Sequence, residues 1–277
     1  MANAIISSGT MNDMLKRRMI NPRFLRGLTG CAAVVVLWQL SVPLVGLEPY
    51  FYPAPVDVVH AFAELMQKGI LPAYVSDSLY RFIIGAVIGC SLGIFFGLLI
   101  GLSRVASQLL TPLISFLFAI VEMAWIPIFV LWWGYGLLTI TVALSYVVFF
   151  PVLYNTLLGV RAVPSYLINA TRSLGGSQFN VVFQTIIPAV TPNIITGVRM
   201  GAGFAFRGLI FAEIVAAKTG LGYLIFESAS SQQTARTIVG MIVVGLLWLA
   251  IEKFFIKPFE QATVERWGLV TQEGGQQ

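Results

Sequence analysis

Long apolar runs broken by short charged segments set the pattern of this chain. No charge falls in residues 27–47, between Arg26 and Glu48, or in residues 82–103, between Arg81 and Arg104. From 105 to 160 the only charge is Glu122. That run is long enough for two bilayer crossings with a break at Trp132-Trp133-Gly134-Tyr135-Gly136. Two further apolar runs lie near 194–216 and 236–256. A hydrocarbon core of about 30 Å takes roughly 20 apolar residues as a helix. The pattern therefore predicts an all-α polytopic membrane protein with six transmembrane helices. It forms a single domain over 1–277, with terminal tails at 1–26 and 257–277. Apolar–polar alternation over segments of about ten residues, the mark of a transmembrane barrel, is missing.

Two features lie within this frame. After Pro55, which suits a first helical turn, Val58, Val59, Phe62, Leu65 and Met66 recur at helical spacing. Asp57, His60, Glu64 and Lys68 stand opposite, so the segment reads as a short amphipathic helix at the outer membrane surface. His60, the sole histidine, falls on its polar face and reads as solvated. In the second span Gly85, Gly89, Gly93, Gly97 and Gly101 are each four apart. They form one smooth stripe along the helix, where small residues let backbones approach closely in lipid.

Composition agrees with a membrane protein: 57% hydrophobic and 10% charged, against about 25% charged in ordinary globular chains. The mean hydropathy is +0.85. The net charge of +5 is topological rather than a nucleic-acid signature. With the N-terminus in the cytoplasm and six crossings, twelve basic residues fall inside: Lys16, Arg17, Arg18, Arg23, Arg26, Arg104, Arg161, Arg172, Arg199, Lys253, Lys257 and Arg266. Four fall outside, namely Lys68, Arg81, Lys218 and Arg236. This is the positive-inside bias, and it puts both termini in the cytoplasm. The basic N-terminal cluster precedes a run longer than a signal-peptide core and reads as retained. Cys31 and Cys90 fall within predicted spans and read as small apolar residues.

Three charges remain at span depth: Glu122 in the third span, where Pro127 invites a kink, and Arg207 and Glu213 in the fifth. An intramembrane arginine costs roughly 2.5–3.5 kcal/mol on insertion scales. Such charges either lock helices together or line a polar pathway, and the sequence leaves both readings open. Glu213 is six residues from Arg207, about 240° around the helix at 3.6 residues per turn. Glu122 is therefore the better partner for Arg207.

A polar segment interrupts the apolar pattern between spans four and five. Pro164 can open a helix in which Leu167, Ala170 and Leu174 share a face, and Gly175-Gly176 would end it. Ser177 can cap a second helix carrying Phe179, Val182, Phe183 and Ile186, with Pro188 and Pro192 interrupting it. Residues 159–192 thus predict a cytoplasmic elbow suited to dock into a groove of a soluble partner.

The elbow resembles the EAA loop of ABC-importer permeases, whose pattern is E-A-A, three residues, G, nine residues, I-x-L-P. Asn169, Ala170 and Thr171 stand at E-A-A, Gly175 at the glycine, and Thr185, Ile187 and Pro188 at I, L and P. The resemblance runs on through FYPAPVDVV, AWIPIFVLWWGYG, RSLGGS, IIPAVTPNIITGVRMG, FAEIVAAKTGLGYLI and ERWGL. That succession is similar to the nitrate/sulfonate/taurine/bicarbonate branch of type I permeases. The resemblance implies a six-helix permease fold in a bacterial inner membrane, surrounded by lipid. It also implies a second permease copy as a homodimer, two ATPase subunits that bind the ATP, and a substrate-binding protein. The cargo would be a small solute such as nitrate, bicarbonate or a sulfonate. Asn169, Ala170, Thr171, Arg172, Gly175, Gly176 and Pro188 would couple to the ATPase. Glu122, Arg207 and Glu213 would belong to the translocation pathway.

The chain itself holds no G-x-x-x-x-G-K-[ST] phosphate loop, no metal-ligand cluster and no Ser/His/Asp set. It is expected to be neither an enzyme nor a cofactor carrier. A secondary transporter or channel using Glu122, Arg207 and Glu213 as relays is the alternative.

Overall fold

In hydrocarbon every backbone N–H and C=O must be satisfied within the protein, which leaves helices as the form for long apolar runs. The computed structural model describes residues 22–46, 48 and 50–258, without the side chains of residues 22–28 and of Cys31. Those residues are helical with short joints. The helices are α1 (Pro22–Val45), α2 (Pro55–Gln67), α3 (Ile70–Leu102), α4 (Arg104–Ala119), α5 (Ile126–Trp133), α6 (Leu137–Ala162), α7 (Ser165–Ser173), α8 (Gln178–Ala216), α9 (Leu221–Ser230) and α10 (Thr234–Ile256). The basic N-terminal cluster, apart from the backbone of Arg23 and Arg26, and the C-terminal ERWGL segment lie outside the described residues.

Four helices, α3, α6, α8 and α10, are long and apolar enough to cross a membrane. The bent pair α4 and α5 makes a fifth, and α1 adds a shorter apolar stretch, Ala32–Val45. Six crossings are compatible with that set. The predicted break at 132–136 is present, with Gly134 at φ +76 and Gly136 at φ +134. The third span departs from expectation, because α4 and the segment Glu122–Trp133 meet at 89° and the bend falls at Ile120–Val121 rather than at Pro127. Pro127 occupies the first turn of α5, where its missing N–H has no helical partner to lose.

α6 is the centre of the bundle, with 56% of its apolar window buried. On one side it meets the glycine stripe of α3. A Cβ at Gly85, Gly89, Gly93, Gly97 or Gly101 would stand 2.5–2.8 Å from Leu144, Ser145, Phe149, Thr156 or Val160 respectively. Leu144, Val148, Val152, Thr156 and Val160 are themselves four apart, so a ridge of α6 fills the groove of α3. On its other side α6 meets α8, where a Cβ at Gly197 would come within 2.9 Å of Asn155 Cβ. Two close approaches leave α6 little freedom to shift.

α3 has 33 residues, about 50 Å at 1.5 Å per residue. It begins twelve residues before the predicted span, and its first turns carry Asp77 and Arg81. There α2 buries Val58, Ala61 and Leu65 in a cluster with Leu71, Leu221, Leu224 and Val239. The rest of its predicted apolar arc, Val59, Phe62 and Met66, stays exposed. Only one edge of that arc reaches the protein. Asp57 Oδ2 accepts the Ala54 N–H at 2.9 Å and caps α2. Glu64 accepts from Lys68 and Arg236, and those two cations hold its carboxyl below the ordinary value.

The closeness of the α3–α6 contact gives a direct test. Gly93→Val places a side chain against the Phe149 backbone oxygen and should destabilise by about 1–3 kcal/mol or more. Gly245→Val, whose Cβ would meet nothing within 4 Å, should leave stability unchanged. Thermal unfolding followed by size-exclusion chromatography compares the two.

Candidate functional site

The polar segment after α6 folds as the elbow anticipated. α7 ends in a Schellman turn, with Gly176 N–H donating to Thr171 O and Gly175 N–H to Arg172 O, both at 3.0 Å. Gly175 has φ +80, a conformation that side chains disfavour, although its Cβ position is open. Gly176 is required for space instead, since a Cβ there would lie 2.7 Å from Thr171 O. Ser177 Oγ then accepts the Asn180 N–H and starts α8. Thr171 Oγ1 and Thr185 Oγ1, 2.7 Å apart, tie the two arms of the elbow together.

Pro188 and Pro192 do not interrupt the second arm, contrary to expectation. Residues 181–186 form a π-helical turn that ends with the Ile187 N–H on Val182 O. The α-helix restarts there with Pro188 in its first turn. The extra residue also rotates the expected apolar face. Val181 and Ile186 point inward, whereas Phe179 and Phe183 stack at 4.2 Å on the outside. The corner is unusually greasy for an exposed surface, with Leu174 at 89% and Phe179 at 67% exposure. Asn169, Ala170, Arg172 and Gly175 are exposed beside them. Contiguous exposed apolar residues with a polar rim mark a docking surface.

The three intramembrane charges separate into two kinds. Glu213 is fully buried and accepts from Arg81 Nη1 at 2.8 Å, from Ser78 Oγ at 2.8 and 2.9 Å, and from the Gly222 N–H at 2.9 Å. Arg81 also donates to Thr219 O and Thr219 Oγ1, and Ser78 Oγ accepts the Leu221 N–H. Gly220 has φ +111, and a Cβ there would strike the Glu213 carboxylate. The loop between α8 and α9 is thus wrapped around one carboxylate. Glu213 ties α3, α8 and α9 together, which is the locking arrangement that the sequence left open beside a pathway role. Sequence reasoning missed Arg81 as its partner because Arg81 was counted as a loop charge.

Glu122 and Arg207 behave differently, because neither is engaged in a hydrogen bond or ion pair among the described residues. They do not meet within one chain, contrary to the expected pairing. Glu122 lies at the α4–α5 bend and lines a cavity of about 700 Å³ with Phe118, Tyr146, Phe150, Tyr154 and Asn155. Arg207 is exposed on α8 and lines a neighbouring cavity of about 440 Å³ with Arg199, Trp248 and Glu252. Met200 and Phe204 of α8 belong to both. Among the described residues no cluster of three or more His, Cys, Asp or Glu could hold a metal ion.

Comparison with known proteins bears on this geometry. The family described as "Binding-protein-dependent transport system inner membrane component" matches residues 89–254. A protein of Bacillus subtilis described as an aliphatic sulfonates transport permease is 30% identical over 231 residues, covering 83% of this chain and 84% of that one. An Escherichia coli protein of the same description is 36% identical over 214 residues, covering 77% and 81%. Among solved structures, an inward-facing methionine ABC transporter, MetNI, superimposes with a TM-score of 0.61. The superposition has 18% identity and covers 72% of this chain and 98% of the other.

The buried lock can be tested by its asymmetry with the surface pair. Arg81→Ala leaves the Glu213 carboxylate buried and without its cation, and should cost about 3–5 kcal/mol. Glu64→Ala removes an exposed, solvent-screened pair and should leave stability nearly unchanged. Thermal shift of the purified protein reads both, and equal losses would contradict the lock.

Proposed function

The chain belongs to the family of binding-protein-dependent transport system inner membrane components, and from this premise we propose how its parts work. It is a permease subunit of an ABC importer. In the proposed assembly two copies form the membrane pathway, two ATPase subunits bind and hydrolyse ATP, and a binding protein delivers the solute from outside. The assembly sits in a bacterial inner membrane with both termini in the cytoplasm. The twelve-to-four distribution of basic residues supports that orientation.

The elbow carries this reading. A left-handed Gly175 holds a corner at which Leu174 and Phe179 project into water. Exposing such residues is unfavourable unless a partner covers them. An ATPase groove would do so, and motion of that groove would be passed to α6 and α8, the two helices that enter and leave the elbow. Asn169, Ala170, Thr171, Arg172, Gly176 and Pro188 would shape the same contact. ATP would bind the partner, with no cofactor and no catalysis in this chain.

For the solute we propose a small anion of the sulfonate class, after the description of the two relatives. Glu122 and Arg207 would line its path. A channel or secondary transporter would use the same charges without an ATPase, so solute uptake that persists with a hydrolysis-dead ATPase partner would establish that alternative.

Gly175→Val should abolish both uptake and solute-stimulated ATPase while the permease accumulates normally in the membrane. Retained coupling at normal abundance would sink the elbow assignment. In a background lacking Cys31 and Cys90, Lys68→Cys and Ser230→Cys should react with an impermeant maleimide in intact cells, and Val105→Cys and Gln178→Cys should not. The reverse pattern would overturn the orientation.

A further inference from the structure

Two opposite charges at span depth have no partner among the described residues, and they sit on adjoining surfaces. Glu122 is half-buried at the α4–α5 bend, and Arg207 is exposed on α8. Between them lie Met200 and Phe204, 47% and 45% exposed. Charges at such depth face a cavity or one another rather than lipid. What covers them must therefore bring a cation to Glu122 and an anion to Arg207.

Depth identifies the candidate. The Gly136 N–H donates to Ala216 O at 2.9 Å, so the outer ends of α6 and α8 are level. Nine residues down α6 from Leu137 is Tyr146, and nine residues down α8 from Ala216 is Arg207, each about 14 Å at 1.5 Å per residue. Tyr146 donates its hydroxyl to Leu117 O and sets its ring 5.8 Å from Trp125, the residues on either side of Glu122, so Glu122 and Arg207 lie at about one level. Glu252, the acidic residue in the Arg207 cavity, is eighteen residues down α10 from Thr234, about 27 Å by the same rise. No ion pair joins it to Arg207 among the described residues.

A two-fold axis along the membrane normal preserves depth. It also makes an interface isologous, so that if one residue meets another across the axis, the reverse contact forms as well. A surface that carries an unpaired acid and an unpaired base at one level, with an apolar patch between, is complementary to itself under that operation. We propose that Arg207 of each copy enters the Glu122 cavity of the other, giving two intermolecular pairs around a core of Met200 and Phe204. The inference rests on the homodimer reading above and adds its register. Each cavity is incomplete in one chain, where among the described residues its lining has a single charge, Glu122. The second copy supplies the guanidinium. A solute on the two-fold axis then meets both a carboxylate and a guanidinium from each side.

The test uses the full transporter, with two differently tagged permease copies co-expressed in a Cys31→Ala/Cys90→Ala background. One copy carries Glu122→Cys and the other Arg207→Cys. Mild oxidation should give a cross-linked species bearing both tags, absent from each single-cysteine control. Independently, Glu122→Arg or Arg207→Glu made in both copies should lower recovery of the two-tag complex about tenfold, and the double swap should restore it to within about twofold. Co-purification of both tags without the cross-link, or without rescue by the swap, overturns this register and leaves the homodimer standing. Failure of the tags to co-purify in the unsubstituted protein overturns both.

Discussion

The close approach of α3 to α6 is the constraint on which the rest depends. Lipid tails give helices no hydrophobic reason to associate, so packing must come from contact area and backbone proximity. The five glycines of α3 provide it by removing every side chain that would hold α6 away, and the ridge from Leu144 to Val160 fills the space. Because α6 is also pressed against Gly197 and Gly201 of α8, its position is set from two sides. The elbow joins the C-terminal end of α6 to the start of α8. A displacement at the corner is therefore delivered into the most tightly packed part of the bundle rather than lost in a loop.

The opposite end of the bundle is held by different physics. There the chain turns from α8 into α9, and the buried Glu213 carboxylate accepts the Gly222 N–H, which would otherwise be an orphaned donor. Its partners come from α3 and from the start of α9, and Arg81 of α3 also holds the loop through Thr219. One fully buried acid thus does for the α8–α9 turn what the Schellman glycines do for the elbow. The acid is the more costly device, because a buried carboxylate without its guanidinium is strongly unfavourable.

Much of this was legible in the sequence, and the failures have definite causes. Apolar runs give crossings because lipid admits few other forms, and Gly175-Gly176 followed by Ser177 spells a turn in local chemistry. The glycine stripe showed that α3 packs closely, yet not against which helix, since the matching ridge on α6 is made of ordinary apolar residues. The bend at Ile120–Val121 left no mark, while Pro127 offered a false one. The π-turn at 181–186 is equally silent, because an i→i−5 bond needs no special side chain, and it displaced the expected apolar face. The Arg81–Glu213 pair was missed for a simpler reason. Charge gaps define where a span is uncharged, not where its helix begins, and α3 starts twelve residues earlier.

That last error separates two uses of charge in this membrane protein. Arg81 and Glu213 are about as far apart in sequence as spans two and five allow, yet the fold brings them together and surrounds them with donors from Ser78 and Gly222. Both members are satisfied within the chain, and the pair ties α3, α8 and the start of α9 together. Glu122 and Arg207 stay open toward cavities, with aromatic and thioether side chains around them and no donor shell. A carboxylate or guanidinium kept in that state is costly to the isolated chain and becomes favourable only when something outside the chain supplies the opposite charge. The satisfied pair therefore belongs to the architecture of one subunit. The unsatisfied pair would belong to the assembly, and to what passes through it, as proposed above.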